Sequence, residues 1–292
     1  MRLRPLHPRR RPSCPVSDAT GTLLVCATPI GNLGDVTLRV LDALRTADVI
    51  AAEDTRVTRK LLSRYEIHTP LEAYHEHNRA AKTPELVERI GRGERIALVS
   101  DAGTPGISDP GAHLVDACLE AALHVEVLPG ASAIVTALVA SGLPTDAFYF
   151  GGFLPRKPGE RTRALGRLAD LDATLVFYES PGRTAATLAT LAEVFAGRRA
   201  ALARELTKVH EEVTTAEIGE LAERFADRPL KGEVVLLVGP PEAPEQLTID
   251  EELVRERLGA AGQRGLTRRD AVREVAAELG LPRNEVYRLS VE

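Results

Sequence analysis

The sequence predicts an α/β protein with two sheet-bearing domains and a small C-terminal helical segment, and three observations carry that expectation. From Thr22 a short β-rich run, a glycine-rich turn and an amphipathic helix recur in that order, and helices at such short intervals imply mainly parallel strands. After about Phe148 the strand-like runs lie closer together, as in a mixed α+β domain. The last stretch reads as helix, "GLP" turn, helix. This is the spacing of a helix-turn-helix and equally of a plain helical hairpin. The expected division is a disordered basic leader over 1–20, an N-terminal α/β domain over 21–142, a second α/β domain over 143–240 and a helix-turn-helix-like segment over 241–292.

Taken in order, "TLLVCAT" is the first strand and "PIGNLGD" a loop. Asp35 is placed to cap a helix whose apolar positions Leu38, Leu41 and Leu44 recur at helical spacing. "VIAA" is a strand that ends on Glu53 and Asp54. The segment around Leu71, "RIALVS" and "HVEVL" complete the first sheet. "GASAIVTALVASG" is a helix with Gly142 as its stop signal. "TLVFYES", "RAALARE", "EEVTTAEIG" and "GEVVLLVG" are strands of the second sheet, and "TAATLATLAEVF" is a helix between them. "VGPPEAPEQLT" is a hinge rich in Gly and Pro.

Composition narrows the function classes. A chain of 292 residues has room for about two ordinary domains. Its 44% hydrophobic content suffices for cores, which must be aliphatic, because Trp is absent and aromatics reach only 4%. That argues against an aromatic platform for stacking several bases. The net charge of -5 argues against indiscriminate coating of nucleic acid, so an RNA partner requires a local basic patch. No apolar stretch approaches the ~20 residues that span a bilayer, and no membrane association is expected. The first twenty residues lack the apolar core of a secretory signal. Cys14, Cys26 and Cys118 form no CxxC pair, which points to neither zinc nor a disulfide framework and fits a reducing cytoplasm.

The loop "SDAGTPGISDPG", Ser100 to Gly111, stands at the carboxyl end of a strand, where open α/β sheets bind ligands. It contains neither GxGxxG nor GxxxxGK[ST], so a conventional dinucleotide site and a P-loop are both unsupported. Asp109 before Pro110 reads as a helix cap. Asp101 reads either as an acceptor for ribose or amino groups or as an Asx-turn residue. Gly103 and Gly106 let backbone approach a ligand. "ATPIGNLGD" and "LPGASA" repeat the design at two further strand ends, and none of the three loops holds a lysine. Their convergence would make a pocket lined by main chain, suited to a compact polar ligand with an adenosyl or amino-acid moiety.

"TPIGNLGDVTLR", "EDTR", "SDAGTPGISDPG", "PGASA", "FGGFLPRK", "FYESPGR" and "ELTKVHEE" together resemble the tetrapyrrole-methylase superfamily. Within it they resemble the branch that modifies small-subunit ribosomal RNA. The resemblance runs from about Leu23 to Val238, and the C-terminal helices are similar to that branch's appended segment. It implies two α/β domains with S-adenosylmethionine held in the cleft between them. It also implies 2'-O-methylation of a cytidine in the decoding centre of 16S rRNA, in the small ribosomal subunit, by a homodimer. Matching the motifs puts Asp101, Gly103, Thr104, Pro105 and Ile107 beside the cofactor, with Ser132 and Ala133 opposite, Pro29 and Gly31 on the first-loop side and Tyr178 on the second-domain side.

A ribose hydroxyl is a poor nucleophile at neutral pH, so a base within hydrogen-bond reach would assist transfer. "FYES" and "ELTKVHEE" offer Glu179, Glu205, Lys208, His210 and Glu211, of which Glu179, Lys208 and Glu211 are expected to act as a group. HExxH would need His at 214, where Thr stands, so no metal is expected. Arg156, Lys157, Arg161, Arg163 and Arg167 form the expected RNA-binding cluster, which would hold phosphates rather than read bases. His75 and His77 in "YHEHNR" read as surface residues, and Arg268 and Arg269 as RNA contacts or helix caps. Two other readings remain at this point. One is a methylase acting on a tetrapyrrole of uroporphyrinogen or precorrin type, and the other a non-catalytic adaptor that binds RNA through its terminal helices.

Overall fold

The structure is a computed structural model that describes residues 21–241 and 251–291. The expected leader, with Cys14, and much of the Gly/Pro-rich hinge lie outside the described residues. The chain divides into two compact units, Met1–Pro240 and Pro241–Glu292.

The first unit contains two five-stranded sheets. In the first, β1 (Thr22–Cys26), β2 (Val49–Ala52), β3 (Leu71–Ala73), β4 (Arg95–Val99) and β5 (His124–Leu128) run parallel in the order β3-β2-β4-β1-β5. Alternation along β1 sends Leu24 and Cys26 to one face and Leu23 and Val25 to the other. Leu24 and Cys26 pack with α1 (Leu38–Thr46) and α2 (Thr55–Arg64), and Leu23 and Val25 with α3 (Arg79–Gly91) and α4 (Gly111–Glu120). Burial pushes the Cys26 thiol up to about 12 and that of Cys118 to about 11. Both are core side chains rather than nucleophiles.

The second sheet holds β6 (Phe148–Phe153), β7 (Thr174–Glu179), β8 (Arg199–Arg204), β9 (Glu212–Glu217) and β10 (Val234–Val238) in the order β6-β7-β10-β8-β9. Only the β6 and β7 pair is parallel. Leu236 and Val238 of β10 pack toward α6 (Pro158–Gly166), α7 (Thr184–Val194) and α8 (Ile218–Phe225). Val235 and Leu237 meet Ile134, Ala137 and Leu138 of α5 (Ala133–Ser141) on the other face. The helix that closes the first sheet is therefore core to the second. Although the sheets change over near 142, where Gly142 ends α5 in the left-handed conformation, they form one compact unit.

Several local expectations are corrected. Thr37, not Asp35, caps α1 by accepting the Val40 N–H at 3.2 Å, because Asp35 sits in a short 3-10 turn. Leu38 is 79% exposed, and the inward face is Val40, Leu41, Ala43 and Leu44. Strand β6 escapes a pattern reading because its glycines interrupt the alternation and its register shifts between Phe150 and Phe153.

The second unit comprises α9 (Glu251–Gln263), α10 (Arg268–Leu279) and α11 (Arg283–Leu289) around Val254, Val272, Val275, Ala276, Val286 and Leu289. Thr267 caps α10, and Gly280 ends it. The unit has three described helices where the sequence indicated two, the extra one being α9.

Candidate active site

Strands β4, β1 and β5 are neighbours, so the three glycine-bearing loops emerge side by side at one edge of the first sheet. Two of them are tied together. Thr28 N donates to the Gly103 carbonyl at 2.8 Å, Gly103 N donates to that of Thr28 at 3.1 Å, and the Thr28 hydroxyl donates to the Ser100 carbonyl at 3.0 Å. Gly103 takes φ +77° to make this turn, while a Cβ there would meet nothing closer than 3.8 Å. The constraint is thus conformational rather than steric. Gly103→Val forces a β-branched residue into a region it avoids, and donor affinity is expected to fall at least ~10-fold, or ~1.4 kcal/mol. Calorimetric titration of S-adenosylmethionine checks this, and unchanged affinity would remove the loop from the site.

These loops form one wall of a cavity of about 470 Å³ lined by Ser100, Asp101, Gly103, Thr104, Ile107, Ser132 and Ala133. The second sheet supplies the other wall. The carboxyl ends of parallel β6 and β7 bring Phe153, Tyr178 and Glu179, and the amino end of antiparallel β10 brings Gly232 to Val235. Tyr178 lies against Phe153 with the rings tilted by 59° and their centroids 5.6 Å apart.

The lining includes Glu53, Asp101, Asp109, Glu179 and Glu233 and no Lys, Arg or His. Asp101 Oδ1 accepts the Asp54 N–H at 3.0 Å, and Glu53 accepts the Asp101 N–H at 3.3 Å. Burial raises both carboxyls, Glu53 and Asp101, above their usual range. Asp109 Oδ1 braces its loop by accepting Gly106 N at 2.8 Å and Gly111 N at 2.7 Å, but Pro110, not Asp109, stands at the N-cap of α4, which has no side-chain cap bond. Asp109 Oδ2 is buried without a hydrogen-bond partner. Such an atom is left for something other than the protein to satisfy.

The group expected to carry catalysis has other work. Glu179 is buried, and both its oxygens are engaged: one by Ser180 N at 2.7 Å, the other by the Thr187 hydroxyl at 2.7 Å and by Arg183 at 3.2 Å. These bonds anchor the end of β7. Burial lowers the Lys208 ammonium, but hydrogen bonds to Glu205 at 2.8 Å and Glu233 at 3.0 Å more than offset this and raise it, which favours its charged, proton-bearing form. Glu211 accepts the Thr207 N–H within a turn where Glu205 and Thr207 both take positive φ. These residues hold a turn against the first loop, where Thr207 also accepts the Asn32 N–H at 3.1 Å.

The remaining expected residues separate. Pro29 and Gly31 line an adjoining recess and not the large cavity. A Cβ on Gly31 would stand 2.6 Å from Lys208 Cγ and 2.9 Å from the Leu206 carbonyl, so that glycine serves close packing between the two halves. Pro105 is buried behind its loop and lines neither space. Arg161 is not a surface cation. It is 5% exposed and donates to the Thr190 hydroxyl at 3.0 Å and the Ala186 carbonyl at 3.1 Å, joining α6 to α7. Arg156, Lys157, Arg163 and Arg167 are exposed. Glu53, Glu233 and Phe153 were not anticipated in the site. Glu53 did carry a signal, an acid at the end of a buried strand. Among the described residues no group of three or more His, Cys, Asp or Glu is placed to hold a metal, and no helix is long and apolar enough to cross a membrane.

Known proteins share both the sequence and this architecture. Residues 22–222 match the tetrapyrrole (corrin/porphyrin) methylases. Ribosomal RNA small subunit methyltransferase I of Synechocystis is 46% identical over 274 residues, covering 93% of this chain and 98% of its own. The protein of the same name from Bacillus subtilis is 40% identical over 286 residues, covering 96% and 97%. Among solved structures, uroporphyrin-III C-methyltransferase of Thermus thermophilus complexed with S-adenosylhomocysteine aligns with TM-score 0.53 at 19% identity, covering 75% of this chain and 97% of that one. The structural likeness is one of fold, and the much higher identity of the named relatives along nearly the whole length narrows the relationship. The chain belongs to the tetrapyrrole methylases and, among them, to the ribosomal RNA small subunit methyltransferase I family.

Proposed function

We propose that the protein transfers a methyl group from S-adenosylmethionine to the ribose 2'-oxygen of a cytidine in the decoding centre of 16S rRNA, within the small ribosomal subunit. The observation that carries this reading is the 40–46% identity, over most of the chain, with relatives named as small-subunit rRNA methyltransferases. A uroporphyrin methylase reading rests on neighbours at only 18–21% identity.

The cavity fits this donor. A sulfonium and an ammonium suit a lining in which Glu53, Asp101 and Asp109 enter no ion pair among the described residues, whereas a phosphate-bearing cofactor would be repelled. Gly103 and Thr104 present main chain, Ser132 and Ala133 close the opposite side, and Tyr178 with Phe153 offers an aromatic wall to an adenine. The buried Oδ2 of Asp109 awaits a donor group. Bound S-adenosylmethionine supplies an electrophilic methyl group.

What the chain must supply is position, exclusion of water and a destination for the ribose proton. Asp101 is the acceptor we assign. Asp54 N–H fixes its Oδ1, its Oδ2 makes no hydrogen bond among the described residues, and it borders both the cavity and the adjoining recess. Lys208, Glu205 and Glu211 position the turn that abuts this junction.

Mass spectrometry of 16S rRNA after incubating unmethylated 30S subunits with protein and donor tests the reading. A single added methyl on one cytidine ribose is expected, and no methylation would overturn it. Replacing Arg156, Lys157 and Arg163 together by Ala should flatten the salt dependence of subunit binding by about one unit of log–log slope per lost phosphate contact, with donor affinity spared. An unchanged slope would make the cluster an ordinary solvated face. We also place the protein in the cytoplasm as a homodimer. The exposed apolar side chains Val127 on edge strand β5 and Val135 and Val139 on α5 offer a surface for the second copy, and sedimentation equilibrium reads its mass.

A further inference from the structure

Beside the donor cavity lies a second recess, of about 310 Å³, which shares Ile30, Asp101 and Glu233 with it. One wall is α2, through Val57, Thr58, Lys60 and Leu61, and Leu33 and Lys208 stand elsewhere in the lining. The chemistry changes across the junction. The cavity lining has carboxylates and no cation, whereas the recess adds aliphatic side chains and two lysines to the shared Asp101 and Glu233; Lys208 is paired with Glu233 and Glu205, which leaves Lys60 as the lining cation without an ion pair among the described residues.

Helix α2 also stands out in charge. It carries Arg56, Arg59, Lys60 and Arg64 and no acid, in a chain of net charge -5. Arg56 is paired with Asp54 at 2.6 Å, whereas Arg59 and Lys60 are exposed and enter no ion pair among the described residues. Thr58 is 4% exposed, and its hydroxyl has no hydrogen-bond partner. Nothing in the cofactor assignment uses any of these groups.

We propose that this recess receives the target nucleotide everted from the RNA, with its base against Leu33, Val57 and Leu61 and its flanking phosphates held by Arg59 and Lys60. This rests on the methyl-transfer reading and adds where the substrate enters. Enzymes that act on a base within a duplex take its nucleotide out of the stack, and the same eversion would carry a ribose into a cleft. A slot with aliphatic walls, Lys60 in its lining and Arg59 next to it in sequence on α2 matches a flat base joined to phosphates. The slot opens onto the donor cavity at Asp101, so a nucleotide seated there brings its ribose to the proton acceptor. The basic face of α2 then supplements the Arg156 cluster, placing charge beside the reacting nucleotide.

The test uses the full chain, unmethylated 30S subunits and S-adenosylmethionine. Val57 is 37% exposed, so Val57→Trp obstructs the recess from its rim without entering the core. It is expected to lower single-turnover methylation ~100-fold, the scale of a misplaced reactant, with donor affinity and melting temperature unchanged. The double replacement Arg59→Ala with Lys60→Ala is expected to weaken subunit binding and reduce its salt slope by about two units. Wild-type rates from Val57→Trp, or loss of donor binding in that variant, would overturn the inference while leaving the methyl-transfer reading intact. An unchanged salt slope in the double variant would remove α2 from the RNA contact. A wild-type protein that methylates no subunit RNA would defeat the functional reading, and this inference with it.

Discussion

Replacing Asp101 by Asn is expected to slow single-turnover methylation by ~10²–10⁴-fold, the usual contribution of a positioned base. Asn retains an oxygen for the Asp54 N–H, so the loop keeps its geometry and donor affinity should change little. Burial holds the Asp101 carboxyl above its ordinary value. The wild-type rate should therefore fall as pH drops through that raised value, earlier than an unperturbed aspartate would require, and the variant should lose this limb. Rapid-quench transfer of labelled methyl groups to 30S subunits across pH supplies the measurement. A variant as fast as wild type would mean that orientation alone suffices.

Replacing Glu179 by Ala should cost stability before it costs chemistry. Its side chain has no solvent exposure, and its loss leaves the Thr187 hydroxyl and Ser180 N without this acceptor and Arg183 with only the Leu154 and Pro155 carbonyls. Breaking a buried pair typically costs about 3–5 kcal/mol, and the lower end applies because Arg183 keeps 27% exposure. A loss of about 3 kcal/mol corresponds to roughly 6–12 °C in melting temperature for a unit of this size. Glu179→Gln, which preserves an acceptor for Ser180 N, should lose less. Wild-type melting combined with lost methyl transfer in Glu179→Ala would return this residue to the chemistry.

The strand, loop and helix alternation was legible because β1, β2 and β4 are nearly continuous apolar runs and β5 alternates around Glu126, and Gly142 marked the end of α5. The loops that build one cavity wall could be read for the same reason: they follow those strands. The opposite wall could not. Whether Glu233 or Phe153 faces the cleft depends on β10 running antiparallel and β6 parallel to β7, and pairing direction leaves no local trace in sequence. Charge misled in two places. Arg161 lies four residues before buried Leu165 on α6, hence on its inward face, and that periodicity was readable beneath the basic composition. "ELTKVHEE" looks like a row of solvated charges, but positive φ at Glu205 and Thr207 folds it into a turn whose charges pair with one another and with Glu233.

The packing of α5 against β10 has a consequence for synthesis. Ile134, Ala137 and Leu138 leave the ribosome well before Val235 and Leu237, which bury them. At about 5–20 residues per second, the roughly hundred intervening residues take on the order of 5–20 seconds. Throughout that interval the nascent first sheet carries an uncovered apolar helix, and no donor pocket exists, because one of its walls has yet to be made. The interval is a window for chaperone capture, and a chain truncated near Gly142 should aggregate rather than persist as a small independent binder of the methyl donor.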